Sequence, residues 1–194
     1  MARAGLTTDR VVTAAADLAD EIGLEQVTVS ALARGFGVKD PSLYSHVRNL
    51  DELRARVSVL ATGELVDRLT AAVVGRAGRE ALGAFADAYR GYVLAHPGRY
   101  AAAQLQIPAE TPGAELAHRR AGEITLAVLR GYGLAEPDLT DAVRLLRATL
   151  HGFAVLEGAG GFAHSRPAQA SWERTVDALH TALTDWAGQG QRRA

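Results

Sequence analysis

Apolar residues recur at steps of three and four along almost the whole chain, while alternating apolar and polar runs bounded by turn residues are nearly absent. This periodicity predicts an all-α protein. A first stripe runs through Val11, Ala15, Leu18 and Ile22, with Thr7 or Thr8 as caps before it and Gly23 behind it. A short second helix follows Thr28, with Val29, Leu32 and Phe36 facing one way and Gly37 as its stop. Asp40-Pro41 then reads as the start of a third helix reaching about His46, because a carboxylate accepts from free backbone N–H groups and proline is tolerated at the first helical position. Asn49 followed by Glu52 has the spacing of a capping box and opens a helix of more than six turns.

Beyond the break "GRAGRE" a further helix is expected from about Glu80 to His96, where "HPGRY" forces a stop or kink. "IPAETPG" reads as a loop, Ala114 to Leu129 as another amphipathic helix, and Pro137 or Asp138 as the start of the next. That next helix carries Leu139, Val143, Leu146, Leu150 and Phe153, with Leu145 and Leu156 as a second apolar line. After the loop "EGAGGFAHSRP" the last helix repeats the rhythm with Trp172, Val176, Leu179, Leu183 and Trp186. Two long helices with surplus apolar face suggest a four-helix bundle shared by a homodimer.

At 194 residues the chain can bury a proper core, and 48% hydrophobic with 22% charged residues is the balance of a globular protein. The absence of cysteine excludes disulfides and thiolate metal sites. The first twenty residues contain no apolar run long enough for a signal peptide or membrane span, so a cytoplasmic protein with no membrane partner is expected. A net charge of −1 offers no bulk attraction for nucleic acid, so any such role needs a local patch. The six histidines, at 46, 96, 118, 151, 164 and 180, lack ligand spacing, and Gly158, Gly160 and Gly161 form no nucleotide-binding pattern. No catalytic residues, metal site or cofactor are expected.

A short helix joined by a glycine turn to a third whose outer positions are polar is the helix-turn-helix arrangement, in which the third helix enters the DNA major groove. The stretch from Thr7 to Leu53, "TTDRVVTAAADLADEIGLEQVTVSALARGFGVKDPSLYSHVRNLDEL", resembles the DNA-binding domain of TetR-family transcriptional regulators. Farther on, "HPGRYAAAQ" and "RATLHGFAVLEGAGGF" are similar to one "HG"-signature subclass of that family's C-terminal domains, with Gly152 allowing close helix approach. The resemblance implies a three-helix DNA-binding domain over 1–50 and a larger helical effector-binding and dimerisation domain over 51–194. It implies double-stranded operator DNA, a small-molecule effector and a second copy of the chain as partners.

Carried over position by position, the resemblance places Thr28 at a helix start that meets phosphate. Lys39, Asp40, Pro41, Ser42 and Ser45 fall nearest the base edges, and Tyr44, His46 and Arg48 at phosphates and sugars, over Leu43 and Val47 in the core. Asp40 is expected to cap rather than to read a base, and Ser30 stands where the family's tetracycline-responsive branch has a guanine-reading arginine. Arg3, Arg10, Lys39 and Arg48 would supply the positive patch, against the acidic Asp17, Asp20, Glu21 and Glu25 at the end of the first helix. Candidate effector contacts are Tyr89, Tyr92, Tyr100, Gln104, Leu126, Leu146 and His151, each of which also fits plain core packing. The functional expectation is a ligand-responsive repressor; the rival is a helical small-molecule-binding protein without DNA-binding activity.

Overall fold

The computed structural model of the chain describes the backbone of residues 5–193 and the side chains of residues 5–186. Among these residues it forms eight α-helices and no strand: α1 Thr8–Ile22, α2 Val29–Phe36, α3 Leu50–Val73, α4 Gly78–Ala95, α5 Pro97–Ala103, α6 Ala114–Leu129, α7 Asp138–Gly158 and α8 Ala168–Arg193. Contacts divide the chain into two compact units, one comprising the residues up to Glu64 with His96–Arg119, the other Leu65–Ala95 with the residues from Arg120 onward. Packing thus divides the chain inside α3 and α6, whereas the sequence suggested a functional division at residue 50. The difference comes from α5, where the sequence pattern predicted a stop or kink and no helix.

In the first unit α1 starts at Thr7, whose hydroxyl oxygen accepts from the Arg10 N–H at 3.2 Å. Its buried face is Val11, Val12, Ala15, Ala16 and Ala19. Ile22, expected on the inner stripe, is 45% exposed, whereas Ala19 in the same turn is fully buried. These small side chains let α5 approach closely. A Cβ added to Gly98 would lie 2.0 Å from the Ala19 carbonyl oxygen, so only glycine fits there. Beside it the buried Arg99 guanidinium pairs with Asp17 at 2.6 Å and with Asp20 and Glu64, while the Arg99 N–H donates to Asp20 at 2.8 Å and the His96 ring meets the same carboxylate at 3.0 Å. Burial alone would weaken the Arg99 charge, but the hydrogen bonds to Asp17 and Asp20 outweigh it and raise its pKa.

In the second unit α4 packs against α7, and Leu82, Phe85 and Tyr92 of α4 and Leu146, Leu150 and Ala154 of α7 are buried. Trp172, Val176, Leu179 and Leu183 form the expected buried stripe of α8. Arg90 of α4 joins both helices: its Nε donates to Glu157 at 2.6 Å and its Nη1 to Gln169 at 2.6 Å, with the guanidinium 5.2 Å above the Trp172 ring. The Trp172 indole N–H in turn donates to Asp87 at 2.6 Å. Leu156, on the second apolar line of α7, is 53% exposed. Gly152, expected at a close helix approach, has no neighbour within 4 Å of a Cβ built on it.

Candidate nucleic-acid interface

Local chemistry builds the outer face of the first unit in two steps. Thr28 caps α2, its hydroxyl oxygen accepting from the Ala31 N–H at 3.1 Å, and Gly37 ends the helix at φ +65°, the left-handed region that a side chain disfavours. The Val38 N–H then closes on the Ala33 carbonyl at 3.0 Å and turns the chain.

The helix expected over 40–46 is instead a 3-10 turn, Asp40–Ser42, followed by hydrogen-bonded turns to His46. Ser42 N–H bonds Lys39 O at 2.9 Å, Leu43 N–H bonds Asp40 O at 3.0 Å and His46 N–H bonds Leu43 O at 2.9 Å. Confined to about two turns between Gly37 and the next cap at Asn49, the segment is bonded mainly i→i+3, closes with one i→i+4 bond from the Val47 N–H to the Leu43 carbonyl at 3.1 Å, and does not propagate as an α-helix.

Its two faces separate sharply. Leu43 and Val47 are 0% and 2% exposed and anchor the turn in the core, while Tyr44 is 52% exposed. Thr28, Lys39, Pro41, Ser42, Ser45 and Arg48 are exposed as well. His46 is only half-buried, and its carbonyl accepts from the Thr8 hydroxyl at 3.3 Å, tying the turn to α1. The Ser45 hydroxyl donates to the Ser42 carbonyl at 2.8 Å. The eight residues expected to meet DNA therefore sit together on the first unit.

Two electrostatic details depart from expectation. The Asp40 side chain does not cap: no side-chain cap bond starts this turn, and one Asp40 oxygen accepts from the Ser30 hydroxyl of α2. The start of α3 is a modified capping box. Asn49 accepts from the Glu52 N–H at 2.8 Å, but the returning bond to the Glu52 carboxylate comes from the Arg48 N–H at 2.7 Å. That backbone bond, then the Arg56 guanidinium at 2.9 Å, hold the Glu52 carboxyl down at about 2 against its ordinary 4.5. Arg48 pairs with the same carboxylate at 3.2 Å yet keeps 84% of its side chain exposed. Arg10 donates to the Gly5 carbonyl at 2.9 Å, and Arg3 lies outside the described residues.

The seven candidate effector residues do not share one unit. Tyr100 and Gln104 belong to the first, whereas Tyr89, Tyr92, Leu126, Leu146 and His151 belong to the second. There Tyr92 is fully buried with the Arg68 guanidinium 5.3 Å from its ring centre, and Leu146 is 1% exposed. A groove of about 480 Å³ in the first unit is lined by Arg48, Glu52 and Arg54 among others at the start of α3 and by Leu105, Ile107 and Pro112 among others in the loop after α5, and none of the seven lines it. Among the described residues no group of three or more histidine, cysteine, aspartate or glutamate side chains is placed to hold a metal ion. No helix there is long and apolar enough to cross a membrane.

A capped helix, a left-handed glycine and a polar turn seated on buried leucine and valine define a helix-turn-helix protein. A family model described as the tetracyclin repressor-like C-terminal domain matches residues 82–179, a span containing both C-terminal segments singled out in the sequence. The chain is 35% identical over 158 residues to an uncharacterised HTH-type transcriptional regulator of Mycobacterium tuberculosis, covering 81% of this chain and 72% of that one. It is 34% identical over 164 residues to a second such regulator, from Bacillus subtilis, covering 79% and 80%. Among solved structures, a TetR variant from Acinetobacter baumannii in complex with minocycline superposes with a TM-score of 0.70 at 22% identity, covering 94% of this chain and 99% of that one. The chain belongs to the TetR family of transcriptional regulators.

Proposed function

We propose that the protein is a ligand-responsive repressor that binds a near-palindromic operator as a homodimer and releases it when a small molecule binds. The observation that carries the DNA-binding part is the exposed set Thr28, Lys39, Pro41, Ser42, Tyr44, Ser45 and Arg48 over the buried pair Leu43 and Val47. In this reading Lys39, Ser42 and Ser45 approach base edges, while Thr28, Tyr44, Arg48 and the partly covered His46 position the chain on phosphates and sugars. A second copy pairing through α7 and α8 would present two such faces to successive major grooves.

Release by a ligand requires that it bind the two conformations with different affinity. The fold shared with a TetR protein that holds minocycline supports an effector role for the helical part of the chain. The aromatic and apolar residues Tyr89, Tyr92, Leu126 and Leu146, with His151, suit a mostly apolar ligand with one or two polar handles. An electrophoretic shift with duplex DNA from upstream of the gene tests the first part. A folded dimer that failed to bind at low salt would leave only the small-molecule-binding reading. A thermal-shift screen tests the second part, since a ligand present at about 100 times its Kd stabilises the native state by about 2.7 kcal/mol.

A further inference from the structure

The hydrogen bond between Ser30 and Asp40 joins the exposed first turn of α2 to the turn that the helix-turn-helix offers to DNA. Ser30 has one hydroxyl proton, and it is committed to Asp40 Oδ2. What the pair has left to offer is acceptors only: the lone pairs of the Ser30 oxygen and the Asp40 carboxylate. The DNA backbone presents phosphate and sugar oxygens that a carboxylate repels, so the donors available to this pair in duplex DNA lie on base edges. In the major groove those donors are the N4 amine of cytosine and the N6 amine of adenine. Adenine sets its N7 acceptor beside the amine, whereas cytosine presents its amine without a neighbouring acceptor on the same base.

We propose that Ser30 and Asp40 form an acceptor-only reader of one base pair in each half-site, selecting cytosine through its N4 amine and rejecting guanine and thymine. The proposal rests on the reading of this face as a DNA-binding surface. Asp40 makes the contact, and Ser30 is a positioning residue that holds the carboxylate against α2. The sequence expectation that Asp40 caps the turn concealed this arrangement, because its partner is ten positions away on a different helix.

The test is selection of bound duplexes from a random pool by the full-length protein, followed by competition among duplexes that differ at one base pair per half-site. The parent should prefer a C·G base pair over A·T at one position of each half-site by about tenfold. Asp40→Asn, whose amide donates as well as accepts, should abolish that preference while the rest of the selected sequence stays the same. Ser30→Ala should weaken the preference and Ser30→Thr, which keeps the hydroxyl, should restore it. If both Asp40→Asn and Ser30→Ala select the parental sequence, or if the base pair they alter is A·T in the parent, the proposal fails and the DNA-binding reading stands. If folded parent protein selects no duplex at low salt, both fail together.

Discussion

Individual side chains on the helix-turn-helix divide into those that hold it and those it displays. Leu43 is fully buried, so Leu43→Ala should destabilise the protein by about 2–5 kcal/mol through lost transfer energy and the cavity left behind, measured by urea unfolding. Tyr44 is exposed, so Tyr44→Ala should leave stability nearly unchanged and weaken binding across operator variants alike, as expected of a backbone contact. Lys39→Ala or Ser42→Ala should instead change preference at particular base pairs, read by competition among single-site variants. If all three left DNA binding untouched in a folded dimer, the docking geometry would be wrong. Gly37 at φ +65° was readable as a stop, because few other residues tolerate that backbone. The bond from Ser30 to Asp40 was not, because propensity ranks both residues by local roles and says nothing of a partner brought close by folding.

Helices and their junctions carry the next set of expectations. Gly98→Ala places a methyl 2.0 Å from the Ala19 carbonyl and must push α5 away from α1, so a clear loss of melting temperature is expected, at roughly 2–4 °C per kcal/mol for a chain of this size. Arg99→Ala leaves the 14%-exposed Asp20 side chain without its guanidinium and should cost about 3 kcal/mol, whereas Arg99→Lys should recover part of it. Glu52 gives a pH signature at the start of α3. Its folded pKa of about 2 lies below the ordinary 4.5, so its contribution to stability is present above about 4.5 and is lost as pH falls toward 2. Unfolding midpoints of the parent and Glu52→Gln should therefore differ near neutrality and converge near the acid limit. The capping pair Asn49 and Glu52 was legible from spacing, while the returning bond from the Arg48 N–H depended on how the preceding turn delivers the chain.

At the scale of the whole molecule, the DNA-binding reading predicts a steep salt response, because the net charge of −1 leaves attraction to local phosphate contacts. With about 6–10 such contacts per dimer, affinity should fall by roughly 10³–10⁵ between about 50 and 200 mM salt, and a slope near zero in titrations would argue against the face described. Periodicity was enough for the all-α class and for the buried stripe of α8 from Trp172 to Leu183, because these depend on residues three and four apart on one helix, and cap and glycine signals added the bounds of α1 and α2. The family resemblance likewise separated Leu43 and Val47 from the displayed side chains around them. Long-range packing decided the rest. The acidic end of α1 read as a penalty for DNA binding, yet Asp17 and Asp20 are the seat of Arg99, about eighty residues farther along the chain. It likewise made α5 part of the first unit and drew the Asp40 carboxylate to Ser30. Helical pattern is written in neighbours along the chain, but charge pairing and close approach belong to neighbours in space, and those exist only once the chain has folded.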